Sequence, residues 1–89
     1  MDPDGMAKIV VDPGHGGQWL TGDPGAPSYD GTKWEKDFTL ILGLKLGTLL
    51  VNDGHEVLYT RTMDVNPKLD DRINTANMND ADLFISIHF

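Results

Sequence analysis

The sequence predicts an α/β fold, a three-layer arrangement in which helices cover a mainly parallel sheet. Its 89 residues suffice for one small domain. Short apolar segments alternate with longer segments of helical pattern in the order βαβαβ, which favours parallel strands joined by right-handed crossovers. The first strand, KIVVD at 8–12, is apolar and β-branched up to its last residue, as a strand covered on both faces would be.

A long loop and a long helix follow this strand. Residues 16–34 are rich in Gly, Pro, Ser and Asp, and such a loop in so small a domain is more often functional than idle, with disorder as the alternative. Residues 35–54 are predicted to form a helix, closed by Gly54 in a left-handed cap. Gly43 and Gly47, four residues apart, would allow close packing against a sheet. The predicted apolar stripe comprises Phe38, Leu42, Leu46 and Leu49, widened by Ile41 and Leu50.

The remaining sequence predicts a second strand, a second helix and a third strand. HEVLYTR at 55–61 is the second strand, and ADLFISIHF at 81–89 is the third. Between them, Asn66 is expected to cap a helix that has Pro67 at its first position. The predicted apolar stripe of this helix comprises Leu69, Ile73 and Ala76.

Composition excludes several classes of function. The formal charge is −7, and no Lys/Arg cluster is present to neutralise phosphates, so we expect no nucleic-acid partner. The chain has no cysteine, which excludes disulfides and thiolate metal sites. Its longest apolar stretch is far short of a membrane span, and the acidic start MDPDGMAK does not resemble a signal peptide.

Three ligand-type residues are expected to converge at one edge of the sheet. Ligands of open parallel sheets bind beyond the carboxyl ends of the strands, where His15 follows the first strand and His88 ends the third. Glu35 opens the long helix as the chain returns from the 16–34 loop to the same edge. Two imidazoles and one carboxylate are the ligand set of a catalytic zinc site. His55 follows a turn at the opposite edge and is interpreted as a surface residue.

Each of these residues also has an ordinary structural interpretation. A histidine after a strand is commonly a hydrogen-bonded turn or core residue, and a glutamate in a first helical turn commonly complements the helix dipole.

Two other motifs give weaker indications of a functional site. The glycines of DPGHGGQW do not make a phosphate loop, because Trp19 occupies the last glycine position. Ser86 and His88 share a strand face, but no third group is evidently placed to orient the histidine.

Five blocks of sequence together resemble a known family. The blocks KIVVDPGHGG, WEKDFTLILGLKLGTLL, VLYTRTMD, DRINTAN and DLFISIHF are similar, in this order, to zinc-dependent N-acetylmuramoyl-L-alanine amidases of the amidase-3 type, found in bacterial autolysins and phage endolysins. The resemblance implies that residues 8–89 are the N-terminal portion of the catalytic domain and that residues 1–7 are a leader or an expression remnant. It implies that zinc is bound by His15, Glu35 and His88. It also implies hydrolysis of the amide between N-acetylmuramic acid and L-alanine at the bacterial cell wall.

The resemblance also has one departure. In the family the domain continues past the third strand, and a second glutamate that assists catalysis would lie beyond Phe89, so this chain corresponds to a truncated domain whose catalytic acid/base is unknown. The carboxylates expected near the site are Asp12, Asp23 and Asp30, of which Asp12 is expected to orient a histidine. An uncovered sheet edge would invite self-association.

The expected partner is peptidoglycan, through both its glycan strand and its stem peptide. Trp19, Tyr29 and Trp34 either line the glycan groove or cap the core. Two alternatives stay open at this point. The chain is a non-catalytic module that binds zinc or peptidoglycan, or it is a fragment completed by a partner chain or a swapped copy.

Overall fold

The computed structural model describes residues 5–17, 22–27 and 30–88. These residues form a three-stranded parallel sheet of order β2-β1-β3, which confirms the predicted α/β fold and its βαβαβ order. The elements in chain order are β1 (Lys8–Pro13), α1 (Glu35–Asn52), β2 (Glu56–Tyr59), α2 (Leu69–Met78) and β3 (Leu83–Ile87).

Strand β1 lies at the centre of the sheet and carries the core. Val10 pairs with Leu58 of β2 and with Phe84 of β3, and every residue from 9 to 13 is buried. Alternate side chains of a strand point to opposite faces. Val11 and Pro13 lie against α1, while Asp12 bonds to Arg72 of α2, so the two helices cover opposite faces of β1. The apolar sequence of β1 therefore reflects burial on both sides.

Helix α1 meets the sheet along a face of small residues. Its buried positions include Thr39, Gly43 and Gly47, four residues apart, which confirms the close packing expected of the glycines. A Cβ at Gly43 would lie 2.8 Å from Cγ of Pro13, and one at Gly47 would collide with the hydroxyl of Tyr59. The backbone of α1 thus approaches the sheet more closely than any bulkier residue would permit.

Most of the residues in the apolar stripe predicted for α1 do not face the core, so the prediction is wrong for them. Leu46 and Leu50 pack against the core. The other four are 44–66% exposed, because the glycine face turns them away from the sheet: Phe38, Ile41, Leu42 and Leu49. The helix ends at Asn52, and Gly54 follows with φ +94°, the left-handed conformation expected of its cap.

Helix α2 begins two residues later than predicted and buries a different face. Its N-cap is Lys68, and Pro67 lies before the helix, where its carbonyl accepts a hydrogen bond from Nε of Arg72. The predicted stripe is wrong, since Leu69 is 71% and Ile73 45% exposed, whereas Arg72 is buried. The reason is polar, because Arg72 forms an ion pair with the buried carboxylate of Asp12 in the sheet.

Within the described residues, β2 and β3 are the outer strands, and both are shorter than predicted. Leu83 and Phe84 of β3 are 51% and 40% exposed. None of the described helices combines the length and apolar character needed to cross a membrane.

Candidate metal centre

The structure brings His15, Glu35 and His88 together at the carboxyl edge of the sheet. Nε2 of His15 lies 3.0 Å from Oε2 of Glu35, and Nδ1 of His88 lies 3.7 Å from the same oxygen. The two nitrogens are 3.4 Å apart, and the imidazole rings stand edge to face. Three donor atoms, one from each residue, therefore point at a common centre.

The spacing of these donor atoms fits a small tetrahedral cation. Ligands about 2.0–2.2 Å from a tetrahedral zinc lie about 3.3–3.6 Å from one another, and the three observed separations bracket that range. Two imidazoles and a carboxylate also match the donor preference of zinc. The residues present thus fit this metal in both chemistry and spacing.

The backbone after β1 is shaped to present the imidazole of His15. His15 has φ +62°, a conformation that is uncommon for a residue with a side chain. A paired bridge between Gly16 and Asp23 holds the loop in place, through reciprocal hydrogen bonds of 2.6 and 2.7 Å. Gly14 permits the close approach of β3, because a Cβ there would collide with the ring of His88. This short stretch therefore sets the separation of the two histidines.

Two buried arginines hold the same loop by its carbonyl oxygens. Arg61 donates to the carbonyls of Pro13 and Gly14, both at 3.0 Å. Arg72 donates to the carbonyls of Pro13 at 2.8 Å and His15 at 2.9 Å. Burial lowers the pKa of Arg61, although a guanidinium still remains protonated. Sequence reasoning missed both residues, and the available signal was an arginine within each of two otherwise ordinary blocks, VLYTRTMD and DRINTAN.

Each histidine has a polar partner on the ring nitrogen that faces away from Glu35. Oδ2 of Asp23 lies 2.9 Å from Nδ1 of His15, and this hydrogen bond lowers the pKa of Asp23. Oγ of Ser86 lies 3.1 Å from Nε2 of His88. Partners of this kind fix the tautomer and orientation of metal-binding histidines.

Asp12 is buried behind the site, where three side chains donate hydrogen bonds to it. It accepts hydrogen bonds from Thr60 (2.6 Å), Arg72 (2.6 Å) and Ser86 (2.8 Å). Burial by itself would raise the pKa of Asp12, but these hydrogen bonds outweigh it and the pKa is lowered. Asp12 thus reaches His88 through Ser86. Asp30, the third carboxylate expected here, forms a local turn with Thr32.

Glu35 is fixed by the segment that precedes its helix. Its side chain is 7% exposed, and Oε1 accepts a hydrogen bond from the backbone N–H of Ala26 at 3.2 Å, so Oε2 is left to face the histidines. Gly25 passes so close that a Cβ there would lie 2.7 Å from Cβ of Glu35 and 2.8 Å from Cδ2 of His15.

Lys36, the next residue, ties the two sides of the site together. Its Nζ donates to the carbonyl of Gly17 at 2.8 Å and to Asp64 at 2.7 Å. The hydrogen bond from Lys36 lowers the pKa of Asp64. Asp64 in turn accepts from the N–H of Gly17 at 2.7 Å, so the loop after His15 is anchored to the segment after β2.

A cleft of about 380 Å³ opens beside His15 and His88. Its lining includes Ser86 beside the two histidines, and the apolar side chains of Ile73 and Phe84. The cleft therefore combines polar groups of the candidate metal centre with apolar surface.

His55 lies at the opposite edge of the sheet, as expected, but it is not a plain surface residue. Its side chain is 19% exposed, and Nδ1 accepts a hydrogen bond of 2.9 Å from the N–H of Ala7. Ala7 is itself part of the buried core. Trp19 and Tyr29, predicted to line a groove or cap the core, lie outside the described residues, and Trp34 is the partly buried N-cap of α1.

Comparison with known proteins identifies the family. Residues 9–89 match the family model Amidase_3, described as N-acetylmuramoyl-L-alanine amidase. The chain belongs to this amidase family. The amidase chain is 47% identical over 85 residues to the sporulation-specific N-acetylmuramoyl-L-alanine amidase of Bacillus subtilis, covering 93% of this chain and 31% of that protein. It is 39% identical over 84 residues to the amidase AmiA of Escherichia coli, covering 94% of this chain and 27% of that one.

Solved amidase structures share the fold. The catalytic domain of CwlV from Paenibacillus polymyxa matches with a TM-score of 0.84 and 34% identity, over 93% of this amidase chain and 45% of that one. An N-acetylmuramoyl-L-alanine amidase from Clostridium difficile matches with a TM-score of 0.85 and 35% identity, over 94% of this chain and 44% of that one. The chain therefore spans about a third of the curated relatives and under half of these solved chains.

Proposed function

We propose that this chain forms the metal-binding part of a peptidoglycan hydrolase, which cleaves the amide between N-acetylmuramic acid and L-alanine at the bacterial cell wall. The observation that supports the proposal most directly is the convergence of His15, Glu35 and His88 on one centre. Family membership supports the choice of substrate.

His15, Glu35 and His88 would hold the zinc ion. When bound in such a site, zinc lowers the pKa of a coordinated water to about 7 and polarises a carbonyl oxygen. The protein's own contribution is to position these groups. Asp23 and Ser86 orient the imidazoles, Ala26 orients the carboxylate, and the cleft beside the donors admits the scissile amide.

Amide hydrolysis also requires a proton for the departing amine. Asp12 accepts three hydrogen bonds, one of them from a buried arginine, and Asp23 is bonded to His15. Both carboxylates are therefore already engaged by hydrogen bonds within the site. We propose that proton transfer falls to the second glutamate that the family resemblance implies, rather than to Asp12 or Asp23.

The assay is the clearing of purified cell walls, followed by release of L-alanine N-termini, for this chain and for a longer amidase that includes the second glutamate. A positioned acid/base contributes about 10²–10⁴-fold, so we expect this chain to be slower than the longer amidase by that factor. A chelator should abolish the activity of both. Clearing by this chain at the rate of the longer amidase would contradict the assignment of the proton donor.

The engaged state of Asp12 and Asp23 also favours a second candidate function, a module that binds zinc or peptidoglycan without hydrolysis. The same experiment separates the two functions. Zinc-dependent release of new amine termini supports hydrolysis, whereas sedimentation of the chain with cell walls without any release supports binding.

A further inference from the structure

The hydrogen bonds behind His88 determine which of its nitrogens carries the proton. Arg72 bonds to Oδ1 of Asp12 at 2.6 Å, and Oδ2 accepts from the hydroxyl of Ser86 at 2.8 Å. An ionised carboxylate can only accept hydrogen bonds, and a hydroxyl has a single proton to donate. Ser86 therefore gives its proton to Asp12 and presents a lone pair to Nε2 of His88, 3.1 Å away.

This arrangement requires a proton on Nε2 of His88 and leaves the lone pair on Nδ1. Nδ1 is the nitrogen that faces His15 and Glu35. In His15 it is Nδ1 that lies against Asp23, so Nε2 is the nitrogen that faces Glu35. The two imidazoles thus present different nitrogens to the same centre.

We propose that Ser86, held by Asp12, is a positioning residue that locks His88 in its Nε2–H tautomer and so prepares Nδ1 to bind zinc. The proposal rests on the zinc site of the proposed function. It assigns a role to a side chain that is neither a metal ligand nor a core residue, on a strand whose neighbouring side chains are largely exposed.

A lock of this kind is needed because the side chain of His88 is 53% exposed, so packing alone constrains its ring weakly. In a free imidazole both tautomers are accessible, and rotation of the ring would exchange the nitrogens. Gly14 supplies the remaining constraint, since its backbone lies directly against the ring.

The first readout uses the wild-type chain without metal. Nitrogen-15 NMR of labelled histidine distinguishes the two neutral tautomers, and we expect His88 as Nε2–H. A wild-type His88 that carries its proton on Nδ1 would overturn the proposal, whether or not the chain binds zinc. This readout needs no variant and stays decisive even if the proposed function fails.

The second readout is zinc affinity, measured by competition with a chromophoric chelator, in Ser86→Ala, Ser86→Thr and Thr60→Val. Loss of such a partner typically lowers metal affinity by about 10–100-fold, so we expect that loss in Ser86→Ala, together with a mixture of His88 tautomers. Ser86→Thr keeps the hydroxyl and should retain affinity within about threefold.

Thr60→Val is the matched control, because Thr60 donates to Oδ1 of Asp12, at 2.6 Å, whereas Ser86 donates to Oδ2. We expect its zinc affinity to stay near that of the wild type. Equal losses of affinity in Thr60→Val and Ser86→Ala, with His88 kept as Nε2–H in both, would overturn the proposal, because the effect would then come from Asp12 and not from the tautomer of His88. Unchanged affinity and tautomer in Ser86→Ala would overturn it as well.

Discussion

Replacing Arg72 by methionine should destabilise the fold and the metal loop together. Methionine has a similar length but no charge, so the change removes the ion pair with Asp12 and the hydrogen bonds to the carbonyls of Pro13 and His15. Asp12 is 4% exposed and would stay buried without its cation. Breaking one partner out of a buried pair costs about 3–5 kcal/mol, a large share of the roughly 5–15 kcal/mol by which domains are stable.

The assay is urea unfolding of the metal-free chain, for the wild type, Arg72→Met, Asp12→Asn and the double variant. The two residues are in direct contact, so the double variant should lose less stability than the sum of the single variants. A loss of unfolding free energy below about 1 kcal/mol in Arg72→Met would refute the reasoning, because the ion pair would then stabilise the fold no more than a solvent-exposed pair does.

The pH dependence of the same unfolding provides an independent check. The pKa of Asp12 is lowered in the folded protein, so its contribution is complete above the unfolded value of about 3.9 and is lost as the pH falls through the folded value. Arg72→Met should raise the folded pKa of Asp12 and so weaken this acid-dependent loss. Identical acid profiles for the two proteins would contradict the role of Arg72.

Three further substitutions test other parts of the structure. His55→Ala should leave the zinc content unchanged but lower the free energy of unfolding by about 1 kcal/mol, since it leaves the N–H of Ala7 without its partner. Thermal or urea unfolding measures this loss. A loss of zinc would show that the two sheet edges are wrongly assigned. Gly47→Ala should lower the free energy of unfolding by about 1–3 kcal/mol, because its methyl collides with Tyr59. The same change should not lower it in a Tyr59→Leu background. An equal loss in both backgrounds would exclude the collision. Gly14→Ala should lower zinc affinity by at least about tenfold by displacing His88, and chelator competition showing wild-type affinity would contradict the close approach of β3.

The sequence was a good guide to the strands and to the meeting of His15 and His88, because both depend on simple rules. An uninterrupted apolar segment predicted that both faces of β1 are covered, and the shared carboxyl edge of parallel strands predicted that His15 and His88 would meet. Neither rule needs the identity of packing partners.

The buried faces of the helices were not predictable in the same way. Gly43 and Gly47 direct α1 by allowing close approach, so the apolar stripe is not the buried face. In α2 the buried residue is Arg72, whose burial depends on Asp12, sixty residues earlier in the chain. Ser86 was recognised only as an unsuitable nucleophile, since the direction of its hydrogen bond depends on the same distant carboxylate.

The most direct test of the account is the zinc stoichiometry of the purified chain, measured by elemental analysis after dialysis against a zinc buffer. The wild type and His55→Ala should each hold one zinc, while His15→Ala, Glu35→Gln and His88→Ala should each hold much less, because each leaves only two protein ligands. One zinc per chain in all three ligand variants, with their fold retained, would contradict the site.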